Sequence, residues 1–222
     1  MSMATIHTLS PEVLALIFEW CSESGPGPRR PYTATAPLLL TRISHHWRNV
    51  ALSTPSLWCS LQLGIDRLGV RLPFLRRWLG RSGSLPLALD LAYNYTWAVP
   101  TAIDGVLRPH ANQIEWLRLY FPCSDLVRIG RLAFPKLRYL DYNWNDVDDT
   151  KLANVDLFAC APQLSELCTR GHSLPSLLVQ SQFPWAQLTT FECFGYSQHD
   201  CLQVLRLAPS LQCCTLIDET QQ

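Results

Sequence analysis

The sequence predicts an α+β protein, with all-α helices at the N-terminus followed by an α/β solenoid of parallel strands and short helices. Two observations predict this fold class. Apolar residues recur at helical spacing through the first 82 residues, and after residue 83 a six-residue pattern returns every 23 to 27 residues. The 222-residue chain is 48% hydrophobic and 16% charged, which is typical of a folded protein.

The first predicted helix starts after Ser10, a good N-cap residue, with Pro11 at its first position. One apolar stripe at spacing i, i+3, i+4 and i+7 then follows: Leu14, Ile17, Phe18 and Cys21. The stretch 24–31 is rich in glycine and proline and predicts a loop, because these residues cannot continue a helix.

Two further helical segments are predicted in the front third. The first extends from about Pro37 to Leu52 and places four apolar residues on one face: Leu40, Ile43, Trp47 and Val50. The second is an amphipathic run at residues 65–82, whose apolar positions are Leu68, Leu72, Leu75 and Leu79. The front third is therefore predicted to consist of helices joined by loops.

The repeated six-residue pattern has apolar residues at most of its first, fourth and sixth positions. Five units share it: Ile114–Leu119, Leu137–Tyr142, Leu164–Thr169, Leu188–Cys193 and Leu211–Leu216. An earlier strand is predicted from the alternating leucines of residues 85–91. A strand and a helix in every twenty-odd residues are typical of leucine-rich repeats, whose stacked units form a parallel sheet. The last unit has no returning helix, so this region is predicted to be incomplete and the chain to aggregate or need a partner.

The charge distribution indicates the kind of partner, and the cysteine content indicates the cellular compartment. Residues 1–82 carry nine arginines, no lysine and four acids, a net charge of +5, and residues 83–222 carry nine bases and fourteen acids, a net charge of −5. The basic front favours an acidic partner. The nine cysteines form no CxxC pair and no export signal is evident, so reduced thiols and a cytoplasmic or nuclear location are expected. No apolar run is long enough for a membrane span.

Four ordered motifs resemble the F-box: Leu9-Ser10-Pro11-Glu12-Val13-Leu14-x-x-Ile17-Phe18, Leu38-Leu39-Leu40, Arg42-Ile43-Ser44-x-x-Trp47-Arg48, and Leu57-Trp58. The resemblance covers about residues 8–63. Residues 36–63 are especially similar to the F-box proteins abundant in mushroom-forming fungi, which join this motif to irregular leucine-rich repeats. The resemblance implies an F-box at 1–64, a linking amphipathic helix at 65–82 and a leucine-rich-repeat-like region at 83–222.

The resemblance implies a non-enzymatic adaptor without cofactors. An F-box docks on the Skp-type adaptor of a cullin-based (SCF) ubiquitin ligase, while the repeats hold a protein substrate. The positions expected to dock, or to pack beneath the docking face, are Leu9, Pro11, Leu14, Ile17, Leu40, Ile43 and Trp47. For each of them, packing within a helical core is an equally good interpretation of the same periodicity.

The alternation of the repeat predicts which strand positions face a substrate: Arg118, Tyr120, Arg138, Asp141, Arg170, Glu192 and Phe194. The substrate itself cannot be named from the sequence. Two other functions stay open, namely a ligase-independent repeat scaffold and a truncated fragment whose F-box does not function.

The sequence gives little support for a metal site, a catalytic site or nucleic-acid binding. The neighbouring His45 and His46 point about 100° apart on a helix, so solvent or groove-lining positions are favoured over joint metal binding. Candidate zinc ligands fit no finger or ribbon spacing: Cys168, His172, Cys193, His199, Cys201 and Cys213. The acidic group Asp141, Asp146, Asp148 and Asp149 lacks the glycine and closing glutamate of a calcium loop. No nucleophile elbow, phosphate-binding loop or lysine cluster occurs, so neither catalysis nor nucleic-acid binding is expected.

Overall fold

A computed structural model describes residues 9–22, 28, 30–65, 71–93, 103–121, 123–143, 158–170 and 182–217. The helices in these ranges are α1 (Pro11–Ser22), α2 (Leu40–Ile43), α3 (His45–Leu52), α4 (Leu72–Leu79), α5 (Ile103–Leu107), α6 (Cys123–Gly130) and α7 (Gln198–Leu207). The strands are β1 (Ser60–Ile65), β2 (Leu87–Tyr93), β3 (Ile114–Tyr120), β4 (Tyr139–Asn143), β5 (Glu166–Arg170), β6 (Thr190–Phe194) and β7 (Cys213–Ile217). The α+β class is confirmed.

The seven strands form one sheet whose order follows the chain, with β1 and β7 at its edges. Every neighbouring pair is parallel, so the parallel sheet expected from the repeated pattern is confirmed. The register aligns equivalent positions of successive units; for example, Asp90 lies beside Arg118, and Arg118 lies beside Asp141. Each successive unit of the sequence thus adds one strand to the same sheet.

The repeated pattern decides which face of the sheet is buried. Because side chains alternate across a strand, the fourth and sixth positions of each unit share one face. On β3 to β6 these positions are buried: Leu117, Leu119, Leu140, Tyr142, Leu167, Thr169, Phe191 and Cys193. All of them except Thr169 belong to one continuous hydrophobic core that also includes residues of the helices. On the edge strand β7 the equivalent Cys214 and Leu216 are exposed.

The predicted helix from Pro37 to Leu52 is wrong as a single helix, because the chain breaks at Ser44. This residue is extended (φ −155°, ψ 167°), and its hydroxyl accepts the backbone N–H of Trp47 at 3.1 Å. Ser44 therefore ends α2 and caps α3. The apolar spacing continues across the break, which explains why periodicity alone predicted one helix.

A strand also lies in the front third, where only helices and their connecting loops were predicted. β1 begins at Ser60, inside the segment 1–64, and pairs along its length with β2. The sheet therefore starts before residue 83. Between β1 and β2, α4 occupies part of the predicted 65–82 helix, and Leu68 lies outside the described residues.

Two tryptophans connect the front helices to the sheet. Trp58 is fully buried and donates its indole N–H to the carbonyl of Ala51 at 2.9 Å. Its ring meets that of Trp78 in α4 edge to face, with centroids 4.8 Å apart, and the Arg81 guanidinium lies 4.4 Å from its centroid. Burial of two such rings stabilises this junction strongly. No helix in the described ranges is long and apolar enough to cross a lipid bilayer.

Candidate partner-binding surfaces

The α1 apolar surface is the first candidate site. Val13, Leu16, Ile17 and Trp20 are 43%, 57%, 36% and 77% exposed, and with Cys21 they line a shallow groove of about 480 Å³. They follow the spacing i, i+3, i+4 and i+7, so they form one stripe of the helix. Clustered exposed apolar side chains mark surfaces that contact another molecule.

The opposite side of α1 fixes the orientation of this surface. Leu14 and Phe18 are fully buried, and the ring of Phe18 packs on that of Trp47 in α3, with centroids 4.9 Å apart. Ser56 donates a hydrogen bond to the carboxylate of Glu19, which ties α1 to the turn before β1. The helix is therefore held on one side by the core and is open on the other.

The structure divides the seven predicted docking residues between surface and core. Pro11, Ile17 and Ile43 are exposed. Leu14 and Leu40 are buried, so they support the surface from beneath. Leu9 and Trp47 are half-buried against the core.

Sequence reasoning missed Val13, Leu16 and Trp20. The signal was present, because residues 13, 16, 17 and 20 have the same helical spacing as the stripe 14, 17, 18 and 21. When both sides of a helix are apolar, its own sequence does not show which side is buried. The elements that pack against the helix determine this. Nearby, His45 and His46 are both exposed in the first turn of α3, as expected of solvated side chains.

The polar face of the sheet is the second candidate site. One row crosses it in register: Gln62, Asp90, Arg118, Asp141, Cys168, Glu192 and Thr215. The Gln62 amide donates to Asp90 Oδ2 at 3.0 Å. Arg118 Nε donates to Asp141 Oδ2 at 2.7 Å, and its NH1 group lies 3.5 Å from Asp90 Oδ2. The guanidinium of Arg118 thus contacts two carboxylates.

Burial controls the electrostatics of this row. It raises the pKa of Asp90 above the usual carboxyl value, and the charge of Arg118 offsets only part of the effect. For Arg118, burial alone lowers the pKa, but hydrogen bonding with Tyr139 and the charge of Asp141 outweigh it, so the pKa lies above its ordinary value. Burial, and next the charge of Asp141, raise the pKa of the Cys168 thiol to about 12. The thiol is therefore protonated and poorly nucleophilic.

The predicted substrate residues fall into different environments. Asp141 was expected to be exposed, but its side chain is completely buried and pairs with Arg118, whose Nε donates to Asp141 Oδ2 at 2.7 Å. Tyr120, Glu192 and Phe194 are half-buried on the polar face, and Arg138 is exposed one residue before β4. Asp141 therefore positions Arg118 and does not itself face a partner.

Two aromatic groups flank the ion-pair row. The rings of Trp116 and Tyr139 stack nearly parallel, with centroids 4.7 Å apart, and the Arg118 guanidinium lies 5.1 Å from the Trp116 centroid. Farther along the sheet, the Arg170 guanidinium lies 4.1 Å from the Phe194 centroid. Flat aromatic and guanidinium surfaces held by their neighbours suit protein contacts, because little side-chain entropy is lost on binding.

Two of the candidate zinc ligands are neighbours in the structure, and a third lies on the surface. Cys193 and Cys201 lie with their sulfur atoms 4.0 Å apart in the core, and His199 is exposed. Within the described ranges, no group of three or more histidine, cysteine or acidic side chains has a metal-binding arrangement. His172, Asp146, Asp148 and Asp149 lie outside those ranges.

Comparison with known proteins gives no assignment. The sequence matches no protein-family model and no curated protein.

Proposed function

We propose that this protein is a substrate-recognition adaptor of an SCF-type ubiquitin ligase, in which the front helices dock on a Skp-type adaptor and the parallel sheet binds a protein substrate. The observation that carries the proposal is the α1 apolar surface, since Val13, Leu16 and Ile17 lie within the motif that resembles the F-box and Trp20 follows it by two residues. The proposal implies a protein of the cytoplasm or nucleus without catalytic activity of its own.

The exposed α1 side chains suit helix-in-groove recognition. In such complexes a few aliphatic and aromatic anchors carry most of the binding energy. Trp20 is the largest exposed apolar side chain of the stripe, at 77% exposure, and Leu16 follows at 57%. Ile43 on α2, 48% exposed, adds an apolar residue from the second motif. The net charge of +5 over residues 1–82 complements an acidic adaptor.

The sheet supplies the second half of the proposal. Its polar face carries Tyr120, Arg170, Glu192 and Phe194, none of which is used in the main core. A parallel sheet made by successive units offers one extended surface, which suits capture of a protein segment. Substrate binding and adaptor docking are thereby assigned to different elements of one chain.

Co-purification with a Skp-type adaptor tests the docking step. The informative variant is Leu16→Ser with Trp20→Ser, because both side chains are exposed and their loss leaves the core intact. We expect adaptor binding to weaken by at least about 30-fold, which corresponds to the loss of one interface hot spot of about 2 kcal/mol. Leu14→Asp is unsuitable, because Leu14 is fully buried and an aspartate there would unfold the helices.

The matched control is Leu202→Ser with Leu205→Ser on α7. These leucines are 56% and 49% exposed, so the control removes two exposed apolar side chains from another helix, far along the chain. Equal binding by both double variants, or absence of binding by the folded parent chain, would contradict adaptor docking through α1. The second result would favour a ligase-independent repeat scaffold.

A further inference from the structure

A pocket of about 640 Å³ lies at the free edge of β1. Its volume is within the range typical of ligand sites. The residues that shape it are Arg30, Tyr32, Gly64, Arg71, Phe74 and Ala92. They come from the segment before α2, from β1 and β2, and from α4 with the residue preceding it. None of them belongs to the α1 apolar surface.

Small residues at the base of this pocket leave it unfilled. Gly64 and Ala92 are partners in the register of β1 and β2, so two adjacent positions of the polar face have almost no side chain. Glycine inside a strand often marks a place where another group approaches the backbone closely. Tyr32 and Phe74 line the pocket with aromatic carbon. The pocket is therefore bounded partly by small residues and partly by aromatic side chains.

Two arginines are held in position at the pocket. Arg30 Nε donates to Gln62 Oε1 at 3.0 Å, and its NH1 group lies 3.4 Å from the Tyr32 hydroxyl. Arg71 NH1 donates to the carbonyl of Gly64 at 2.9 Å. Gln62 and Gly64 are two residues apart on one strand, so their α-carbons are separated by about 7 Å. Both guanidinium groups are thus anchored to neighbouring points of β1.

Arg30 presents its positive charge to this pocket. The side-chain hydrogen bonds of Arg30 go to neutral oxygens, and within the described ranges no carboxylate forms an ion pair with it. The nearby Asp90 is engaged by the Gln62 amide and by Arg118. An anionic group entering the pocket would therefore find a guanidinium that is oriented but not neutralised by a contacting carboxylate.

The strand edge adds further donors. The carbonyl of Cys59 accepts the N–H of Ala88, so the alternate backbone groups of β1 are used by β2. In a regular parallel ladder the N–H groups of Gln62 and Gly64 then point away from β2, towards the free edge. Backbone N–H groups beside arginines are typical of sites that bind carboxylate or phosphate.

We propose that this pocket is an anion-binding site for a carboxylate or phosphate group carried on an aromatic or apolar body. The guanidinium groups of Arg30 and Arg71 bind the anion, and Tyr32 and Phe74 contact the attached body. The site does not depend on the ligase assignment, since it uses neither α1 nor an adaptor.

Isothermal titration of the full chain with phenyl phosphate, benzoate and neutral benzyl alcohol tests the proposal. We expect saturable binding of at least one of the two anions and none of the alcohol. Tighter binding of phenyl phosphate identifies phosphate as the preferred group, and tighter binding of benzoate identifies carboxylate. Arg30→Gln should weaken the anion about tenfold or more, because one charge-assisted hydrogen-bond donor is lost.

Two further variants complete the test. Gly64→Val fills the floor while keeping a residue that suits a strand, and it should also abolish binding. Arg42→Gln removes an exposed arginine on α2 and should leave binding unchanged. Circular dichroism shows whether each variant is folded. Failure of both anions to bind, equal binding of the alcohol, or full binding by folded Arg30→Gln and Gly64→Val variants would overturn the proposal.

Discussion

Replacement of Arg118 by methionine is the most direct test of the ion-pair row on the sheet. Methionine keeps an unbranched apolar stem of similar length and removes the guanidinium. Two carboxylates would then lose their positive neighbour: Asp141, which is 0% exposed in its side chain, and Asp90, which is 5% exposed. The perturbation therefore leaves buried charge uncompensated while disturbing the packing little.

The magnitude follows from this burial. Removing one partner of a buried ion pair costs about 3–5 kcal/mol. The Arg118 side chain is 29% exposed, so solvent screens part of the interaction, and we take about 3 kcal/mol, the lower end of that range. For a chain of this size the loss corresponds to a fall of about 6–12 °C in Tm.

The pH dependence has a definite sign. Burial raises the pKa of the Asp90 carboxyl in the folded state above the unfolded value of about 3.9, and without Arg118 the largest opposing effect is lost. The folded state then binds more protons than the unfolded state, so stability is lost as the pH rises through these values. The deficit of Arg118→Met should therefore be greater at pH 7 than at pH 4.5.

Urea unfolding of the variant at both pH values provides the measurement. The added substitution Asp141→Asn should recover part of the loss, because no buried charge then remains at that position. Arg138→Met is the matched control, since Arg138 is exposed beside the same sheet and its replacement should change stability by less than about 0.5 kcal/mol. A loss below about 1 kcal/mol for Arg118→Met that is equal at both pH values would refute the argument.

Two further predictions concern a helix end and thiol reactivity. Ser197 caps α7, with its hydroxyl accepting the N–H of Asp200 at 3.2 Å in a capping box, so Ser197→Ala should cost about 1 kcal/mol in thermal unfolding. The exposed Ser84→Ala should cost almost nothing, and equal losses for the two variants would contradict the cap. Burial raises the pKa of Cys59 to about 11, so at pH 8 about one thiol in a thousand is ionised. A thiol reagent followed by mass spectrometry should therefore label exposed Cys21 well before Cys59, and the reverse order would contradict the burial.

Local patterns predicted most of the sheet. The spacing of the repeated units gives the strands β3 to β7, because a buried strand position tolerates few residue types other than apolar ones. The leucines of residues 87–91 gave β2 in the same way. β1 was missed, since its sequence Ser60–Ile65 has weak strand residues at its polar positions and gains its conformation by pairing with β2.

The helices show where periodicity stops being sufficient. Both sides of α1 have apolar residues at helical spacing, and only packing against Trp47 decides that Phe18 is inside and Trp20 outside. Likewise, nothing in the spacing of apolar residues marks the break at Ser44, which depends on a hydroxyl-to-backbone hydrogen bond. Which side of a helix is buried and where a helix ends are therefore determined by contacts that the apolar spacing does not contain.

The sequence by itself determined the α+β class, the parallel arrangement of repeated strands and the helical nature of the N-terminal segment, because these depend on spacing within short windows. Only the tertiary structure decided that Asp141 is buried and paired with Arg118, that one side of α1 stays exposed, and that Arg30 and Arg71 line one pocket beside β1. The physical reason is the same in each case. Burial and charge pairing depend on neighbours 23 to 41 residues away in sequence, such as Arg118 and Asp141 or Arg30 and Arg71, and a local pattern contains no information about which distant residues become adjacent.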